Sequence, residues 1–374
     1  MNILVITREL PPVGGGAGYV ALNLAERVAA KGNHVFVVTM HFGDLPLFEK
    51  RGLLTIYRVK CGRRNQDSSY FLDMVRFVLM ASGLVRELVR RESSMLIHAH
   101  AIIPDALIAL AARGPRPFMI TAHGSDVPGY NPDQFKIAHV LLRPVWHLIL
   151  RQADWLVAPS NFLAGLIKEA RPRQQVLRIP NGINGDLFQS QPKRDGFLIV
   201  SRLVTRKNYH LFLEALGKIE EPQTVNIVGD GPALGQLKRL ASISTQHNIF
   251  FHGWLAHGSP NWRQLYESSR FLIFPSESEN FPINLLEGLL AGLIILASDI
   301  PSNREVLEGD AIYFPSLSIQ DIEATTRRAI RLSPEASEKL MSDARSRVQS
   351  RYSWNVVSSS YLDVYRNMLG GADV

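Results

Sequence analysis

At 374 residues the chain is too long for one hydrophobic core and suits two domains. Its 46% hydrophobic and 20% charged residues are a globular balance that excludes a disordered or fibrous chain, and its single cysteine, Cys61, excludes an intrachain disulfide. The charge is one-sided: residues 1–190 hold 22 Lys and Arg against 14 Asp and Glu, and the remainder is close to neutral, so an acidic partner, whether lipid headgroups, a lipid diphosphate or nucleic acid, would meet the first half.

The strand-like run ILVIT (3–7) follows Met1 and Asn2 directly, which leads us to expect no signal peptide and a cytoplasmic protein. After it come the glycine run Gly14, Gly15, Gly16 and Gly18, a helical segment at 18–31, and strands at 34–39 and 53–59. A helical segment spans 70–92, and strands follow at 95–100, 117–122, 155–159 and 176–180, with a further helix at 160–170. The run 137–150 is interrupted by Arg143, Pro144 and His147 and is too short and polar to span a bilayer. The stretch 181–196, rich in Gly, Asn, Pro and charge, reads as an interdomain linker. The alternation then restarts with strands at 197–202, 224–229, 248–253, 270–275 and 293–298, and the chain closes on a helical segment from Trp354. Repeated βαβ units mean parallel sheets, hence an α/β protein of two doubly wound domains. We place the first at 1–185, joined by the C-terminal helix 354–374, and the second at 186–353.

Five groups of residues carry chemistry. In 274–292 Pro282 is suited to a helix start, which puts Glu279 on the entering loop and Glu287 about one and a half turns inside. A helix start offers N–H groups and the positive end of a dipole to a phosphate, here through Ile283, Asn284 and Leu285. Arg202 follows the strand 197–201 and Lys207 opens the next helix, at the edge where open α/β sheets bind ligands, and they suit a diphosphate. His123 leaves a strand into a glycine-bearing loop, with Asp126 as its orienting partner, an acceptor contact or a turn cap. Gly15 and Gly16 allow backbone to approach a ligand, but the run is not G-x-G-x-x-G and no acidic residue ends the second strand, which counts against a dinucleotide oxidoreductase. Gly229 begins a tight turn after the strand 224–228, with backbone contact to a base as a second role. Neither Asp-x-Asp nor a His/Cys cluster with metal spacing occurs, so we expect metal-independent chemistry with no cofactor. On 70–92 at 100° per residue, Arg76, Arg86, Arg90 and Arg91 fall opposite Phe71, Met74, Val78, Val85 and Val89, a basic face that is either solvated or docked on an anionic membrane.

In this order the segments PPVGGGAGY (11–19), TAHGSDV (121–127), PSNF (159–162), IPNGIN (179–184), VSRLVTRKN (200–208), VGDGP (228–232), FHGW (251–254), the two-glutamate segment and RYSW (351–354) resemble glycosyltransferase family 4. That family comprises retaining, nucleotide-sugar-dependent enzymes of the GT-B fold, and the resemblance runs along nearly the whole chain. It implies two Rossmann-like domains facing across a cleft, with the last helix crossing back to the first. It implies donor phosphates on Arg202 and Lys207, ribose on Glu287, the transferred sugar on Glu279, and His123 beside the reacting carbon. It selects Lys207 over Arg206, and it implies a UDP- or GDP-sugar as donor and a glycan, glycolipid or lipid-linked acceptor, as in bacterial envelope or extracellular polysaccharide synthesis. A small soluble acceptor stays open, and no nucleic acid is expected. Asn280 and Pro282 stand where the family often has glycine. A retaining glycoside hydrolase built on Glu277 and Glu279 leaves Arg202 and Lys207 without a role. A non-catalytic carbohydrate- or membrane-binding protein leaves the whole set unexplained.

Overall fold

The computed structural model describes residues 1–65, 69–92, 94–130, 132–189 and 195–370, the side chains of 132–139 excepted. The chain divides into two compact units, Met1–Gly182 with Trp354–Val374, and Ile183–Ser353. The division falls at 182/183, where the sequence reading placed it at 185/186.

In chain order the first unit is built from β1 (Asn2–Ile6), α1 (Gly16–Ala30), β2 (His34–Met40), β3 (Phe48–Arg51), β4 (Leu54–Val59), α2 (Phe71–Arg91), β5 (Met95–Ala99), α3 (Asp105–Ala112), β6 (Phe118–Thr121), α4 (Pro132–Gln152), β7 (Trp155–Ala158), α5 (Asn161–Ala170) and β8 (Leu177–Arg178). The second unit holds β9 (Asp195–Val200), a 3₁₀ turn at Thr205–Lys207, α6 (Tyr209–Leu216), β10 (Thr224–Val228), α7 (Leu234–Ile243), β11 (Asn248–Gly253), α8 (Pro260–Ser268), β12 (Ser269–Phe274), α9 (Ile283–Ala291), β13 (Ile294–Ser298), α10 (Pro301–Leu307), β14 (Ala311–Phe314), α11 (Ile319–Ile330), α12 (Pro334–Met341) and α13 (Ala344–Tyr352). Helix α14 (Trp354–Gly370) returns to the first unit.

The first sheet runs β3-β4-β2-β1-β5-β6-β7-β8, and only the β3–β4 pair is antiparallel. The second runs β11-β10-β9-β12-β13-β14, wholly parallel. Parallel strands covered by helices on both faces must be apolar throughout, which is why Ile3 to Ile6 and Phe271 to Phe274 are uninterrupted buried runs. Winding reverses between β1 and β5 in one sheet and between β9 and β12 in the other. Such reversals part the loops at the carboxyl edge and open a crevice for a ligand.

Three expectations need correction. The short strands β3 and β14 were not expected; FEKR is an exposed polar edge and AIYF is too short to show a period. The stretch 181–196 is not a free linker: Ile183 is buried with its N–H on the Tyr352 carbonyl, and Phe188 stacks on Trp262. Residues 190–194 of that stretch, and 371–374 of the expected C-terminal helix, lie outside the described residues. On α2 the buried stripe runs through Asp73, Phe77, Ala81, Val85 and Leu88, so Phe71 is not on it and is 72% exposed. One turn past a helix start, a side chain has little beneath it to cover, and the sheet sits under the following turns.

The seam between α14 and the first sheet is polar at its centre. Trp354 is buried against Gly182, where an added Cβ would lie 2.5 Å from the indole, so this asparagine-glycine turn admits no side chain. Deeper in, the His98 ring on β5 bridges two elements, with Nδ1 2.7 Å from the Tyr365 hydroxyl of α14 and Nε2 2.8 Å from the Thr121 hydroxyl of β6. His98 is fully buried, and this desolvation, helped by His123, lowers its pKa to about 3. Unfolded, a histidine titrates near 6.5. Below that pH the unfolded chain binds a proton that the folded one refuses, so stability is lost as pH falls from 6.5 towards 3. The rate is about 1.4 kcal/mol per pH unit. In urea unfolding at pH 7.5 and pH 5.0, His98→Gln, which keeps polar atoms for both partners, should lose about 2 kcal/mol less than wild type between the two pH values. Equal losses would place the titration elsewhere.

Candidate functional site

The carboxyl edge of the second sheet gathers the expected donor residues at its winding reversal. The loop after β9 carries Arg202 and the turn Thr205–Lys207; the loop after β12 carries Glu279 and runs into α9. Asn208, in the left-handed region at φ 55°, straps the two loops by donating from Nδ2 to the Pro275 carbonyl at 3.3 Å. The Glu277 N–H donates to the Arg206 carbonyl at 3.2 Å. Between these straps Lys207 and Glu279 form an ion pair, with the Lys207 ammonium 5.1 Å above the Phe274 ring. Thus Lys207 is the member of the Arg206–Lys207 pair that meets Glu279. Arg202 is anchored through its carbonyl, which accepts from Val204 N–H at 3.0 Å and from the Ser201 hydroxyl at 3.1 Å.

The start of α9 differs in detail from the expected one. Pro282 is the residue before the helix, extended at φ −72° and ψ 119°, and the helix begins at Ile283. Leu285 donates its N–H to the Pro282 carbonyl at 3.2 Å, which closes the first turn. Ile283 and Asn284 therefore carry the N–H groups that a helix leaves without partners of its own. The Asn284 side chain donates to the carbonyl of Val200, pinning this helix start to the end of β9. Glu287 is 3% exposed and held at both oxygens, by the Tyr266 hydroxyl at 2.7 Å and by His257 Nε2 at 2.7 Å. Burial and the Glu287 charge raise the Tyr266 pKa well above 10, so the phenol stays a donor. Tyr266 and His257 were not foreseen. They lie on α8 and the loop before it, and only their place in space joins them to Glu287.

Gly229 has φ 130°, and a Cβ there would lie 1.9 Å from the Ser201 carbonyl oxygen, so glycine is demanded by the chain itself. Its N–H donates to Gly253 at 2.7 Å, so it is not offered to a ligand.

In the first unit the loops after β1, β5 and β6 meet. Gly14, at φ 87°, and Gly18 have no room for a Cβ because Glu9 fills the space, whereas a Cβ at Gly15 or Gly16 would meet nothing within 4 Å. The pair expected to face a ligand is thus the pair that the chain's own packing leaves bare. Gly15 donates its N–H to the Glu9 carboxylate at 3.1 Å. Asp126 is a turn organiser: Oδ1 accepts from the N–H groups of His123 at 3.1 Å and Gly124 at 2.9 Å, and Oδ2 from Ile102 at 2.8 Å. It fixes the loop that presents His123. His123 Nε2 lies 3.1 Å from Nδ1 of His100, one residue past β5. Burial lowers the His123 pKa to about 4, against the pull of Asp126, so the ring is neutral near pH 7. Arg8, Asp105 and His100 were missed as members of this cluster. Asp105 is fully buried and accepts from Arg8 N–H at 3.1 Å; burial pushes its pKa to about 7 despite Arg8. The alternation His98-Ala99-His100 in the sequence gives no hint that His100 lies beside the loop after the next strand.

Among the described residues no group of three or more His, Cys, Asp or Glu is placed to hold a metal ion, and no helix is long and apolar enough to cross a membrane.

Two family models match the chain: Glycosyltransferase Family 4 over residues 14–187, and Glycosyl transferases group 1 over residues 187–347. The chain is 23% identical to N-acetyl-alpha-D-glucosaminyl L-malate synthase of Bacillus anthracis, over 96% of this chain and 95% of that protein. Its fold is similar to that of sucrose-phosphate synthase from Thermosynechococcus elongatus, with a TM-score of 0.82 at 19% identity over 99% of each chain. It is also similar to that of Anabaena HepE in complex with UDP-glucose, with a TM-score of 0.75 at 19% identity over 98% of this chain and 100% of that one. These likenesses establish the GT-B fold. With one family model on each half of that fold, the chain belongs to the glycosyltransferases of the family 4 type.

Proposed function

We propose that the protein transfers a hexosyl unit from a UDP- or GDP-sugar, with retention of configuration and without a metal ion, to a glycan, glycolipid or lipid-linked acceptor. The observation that carries this reading is the Lys207–Glu279 pair set between the β9 loop and the start of α9. A diphosphate arriving there would draw Lys207 to itself, together with Arg202 and the N–H groups of Ile283 and Asn284. Glu279 would then be released towards the sugar hydroxyls. Negative charge develops on the leaving diphosphate, and fixed cations and a helix start stabilise it where a divalent ion otherwise would. Glu287, already held by Tyr266 and His257, has lone pairs remaining on both oxygens for the ribose hydroxyls. In the first unit His123, neutral and partly exposed, would hydrogen-bond the transferred sugar.

Peripheral attachment to an anionic membrane is part of the same reading. Its support is the positive excess of residues 1–190 and the outer face of α2, where Leu72, Leu79 and Met80 are 55%, 71% and 51% exposed beside Arg76, Arg90 and Arg91. Apolar side chains flanked by arginines suit the boundary between headgroups and acyl chains. Arg86 contributes less, because its guanidinium donates to the Ala111 carbonyl at 3.2 Å.

Arg202→Ala and Lys207→Ala should each lower turnover about 100-fold or more in steady-state kinetics, and wild-type turnover should persist in excess EDTA. Glu287→Ala should raise the dissociation constant of the free nucleoside diphosphate in calorimetric titration. Near-wild-type kinetics in both cation variants would remove the diphosphate from this edge. Activity abolished by EDTA and restored by magnesium or manganese would end the metal-free reading.

With phosphatidylglycerol-containing vesicles, wild type should co-sediment at low salt and be released at high salt. Basic residues near such a surface contribute about 1 kcal/mol each and are screened within a Debye length. A variant with Ser at Arg76, Arg90 and Arg91 should remain in the supernatant. Wild type remaining there at low salt would make α2 ordinary surface and favour a soluble acceptor.

A further inference from the structure

We propose that His100 is a positioning residue that holds the proton of His123 on Nδ1, so that His123 meets the transferred sugar as a hydrogen-bond donor and not as a base. The inference rests on the transferase reading for its consequence, but not for its geometry.

β5 and β6 are parallel neighbours, with Ala99 paired to Ile120, and His100 and His123 lie just beyond their carboxyl ends. The two rings are inclined by only 17°, with centroids 5.4 Å apart and Nδ1 of His100 3.1 Å from Nε2 of His123. A centroid separation close to the N···N distance plus two ring radii describes rings lying edge to edge in nearly one plane. That is a hydrogen bond and not a stack.

Both rings are neutral near pH 7, because burial holds His100 well below its ordinary pKa and His123 at about 4. A hydrogen bond between two neutral imidazoles contains one proton, so one facing nitrogen donates and the other accepts. The other nitrogen of His100 decides which. His100 is 2% exposed, and its Nε2 has no hydrogen-bond partner among the described residues. The His98 ring packs against it at 4.2 Å between centroids, with both of its own nitrogens held by Tyr365 and Thr121. A proton on His100 Nε2 would be a buried donor without an acceptor. Such donors are rarer in folded proteins than lone pairs left unused. His100 therefore carries its proton on Nδ1 and donates it to His123 Nε2. His123, accepting there, must carry its own proton on Nδ1. Asp126 fixes the same loop through the backbone N–H of His123, so backbone and ring are held by separate partners. A donor of fixed position suits an oxygen of the hexosyl unit as charge shifts towards the leaving diphosphate.

The test is a long-range proton–nitrogen correlation spectrum of ¹⁵N-labelled protein at pH 7.5 without substrate, with His123 assigned by its loss in His123→Gln. Wild type should show His123 as the Nδ1–H tautomer. His100→Leu should return it towards Nε2–H, and His100→Asn, whose amide can donate from near the same place, should retain Nδ1–H. Wild-type His123 in the Nε2–H form overturns the proposal, whether or not His100→Leu folds. An unchanged tautomer in a folded His100→Leu also overturns it. In kinetics His100→Leu should lower kcat about 10-fold with little change in donor KM, and His100→Asn should recover most of it. Since the spectrum needs no substrate, absence of transfer in wild type would sink the transferase reading alone.

Discussion

The parallel register of the strands is the constraint on which the rest depends. Because every pairing in the second sheet is parallel, each strand ends at the same edge, and the residues that follow β9 and β12 have no choice but to meet. Parallel pairing requires helical crossovers, crossovers cover both faces, and covered faces must be apolar. The polar chemistry is thereby driven to the loops at the edge. Where the winding reverses the loops part, and Lys207, Glu279 and the start of α9 stand at that place in the second unit. In the first unit the corresponding reversal, between β1 and β5, brings together the glycine loop, Arg8 and Asp105.

The two units solve the problem of polar groups in different ways. In the second, acids are partnered directly: Glu279 with Lys207, and buried Glu287 with a phenol and an imidazole. Removing such a carboxylate from water is tolerable only because both oxygens are hydrogen-bonded. In the first, the carboxylate of Asp126 is consumed by three backbone N–H groups, and the three histidines are held neutral by burial. A cation-bearing edge suits a diphosphate. Neutral donors and acceptors suit a sugar, whose hydroxyls carry no charge to be matched.

Much of this was legible because it is local in the chain. Strand positions followed from continuous apolar runs, and the placement of Arg202, Lys207, Glu279 and Glu287 followed from their distance to strand ends and to Pro282. What was not legible is what depends on packing. Tyr266 and His257 sit beside Glu287 although 21 and 30 residues separate them in the chain. His98 meets Tyr365 across 267 residues. Phe188 looked like part of a polar linker because its neighbours are Gly, Asn and Asp, yet one aromatic ring is enough to anchor such a stretch when Trp262 lies beneath it. The polar edge strand β3 left no alternation to read, since one strand of an exposed edge can be charged throughout.

The glycines show how the same residue type divides between fold and ligand. At Gly14, Gly18 and Gly229 an added Cβ would run into Glu9 or into the Ser201 carbonyl, so the chain's own backbone explains them. At Gly15 and Gly16 it would enter open space, and φ at Gly15 is −121°, a value that any residue adopts. Sterics within the unit do not call for glycine there. The backbone is left bare beside the α1 start, where Gly15 gives its N–H to the Glu9 carboxylate. A run of glycines is therefore ambiguous as sequence, but with positions in hand it separates into residues that packing requires to be glycine and residues whose place would admit a side chain.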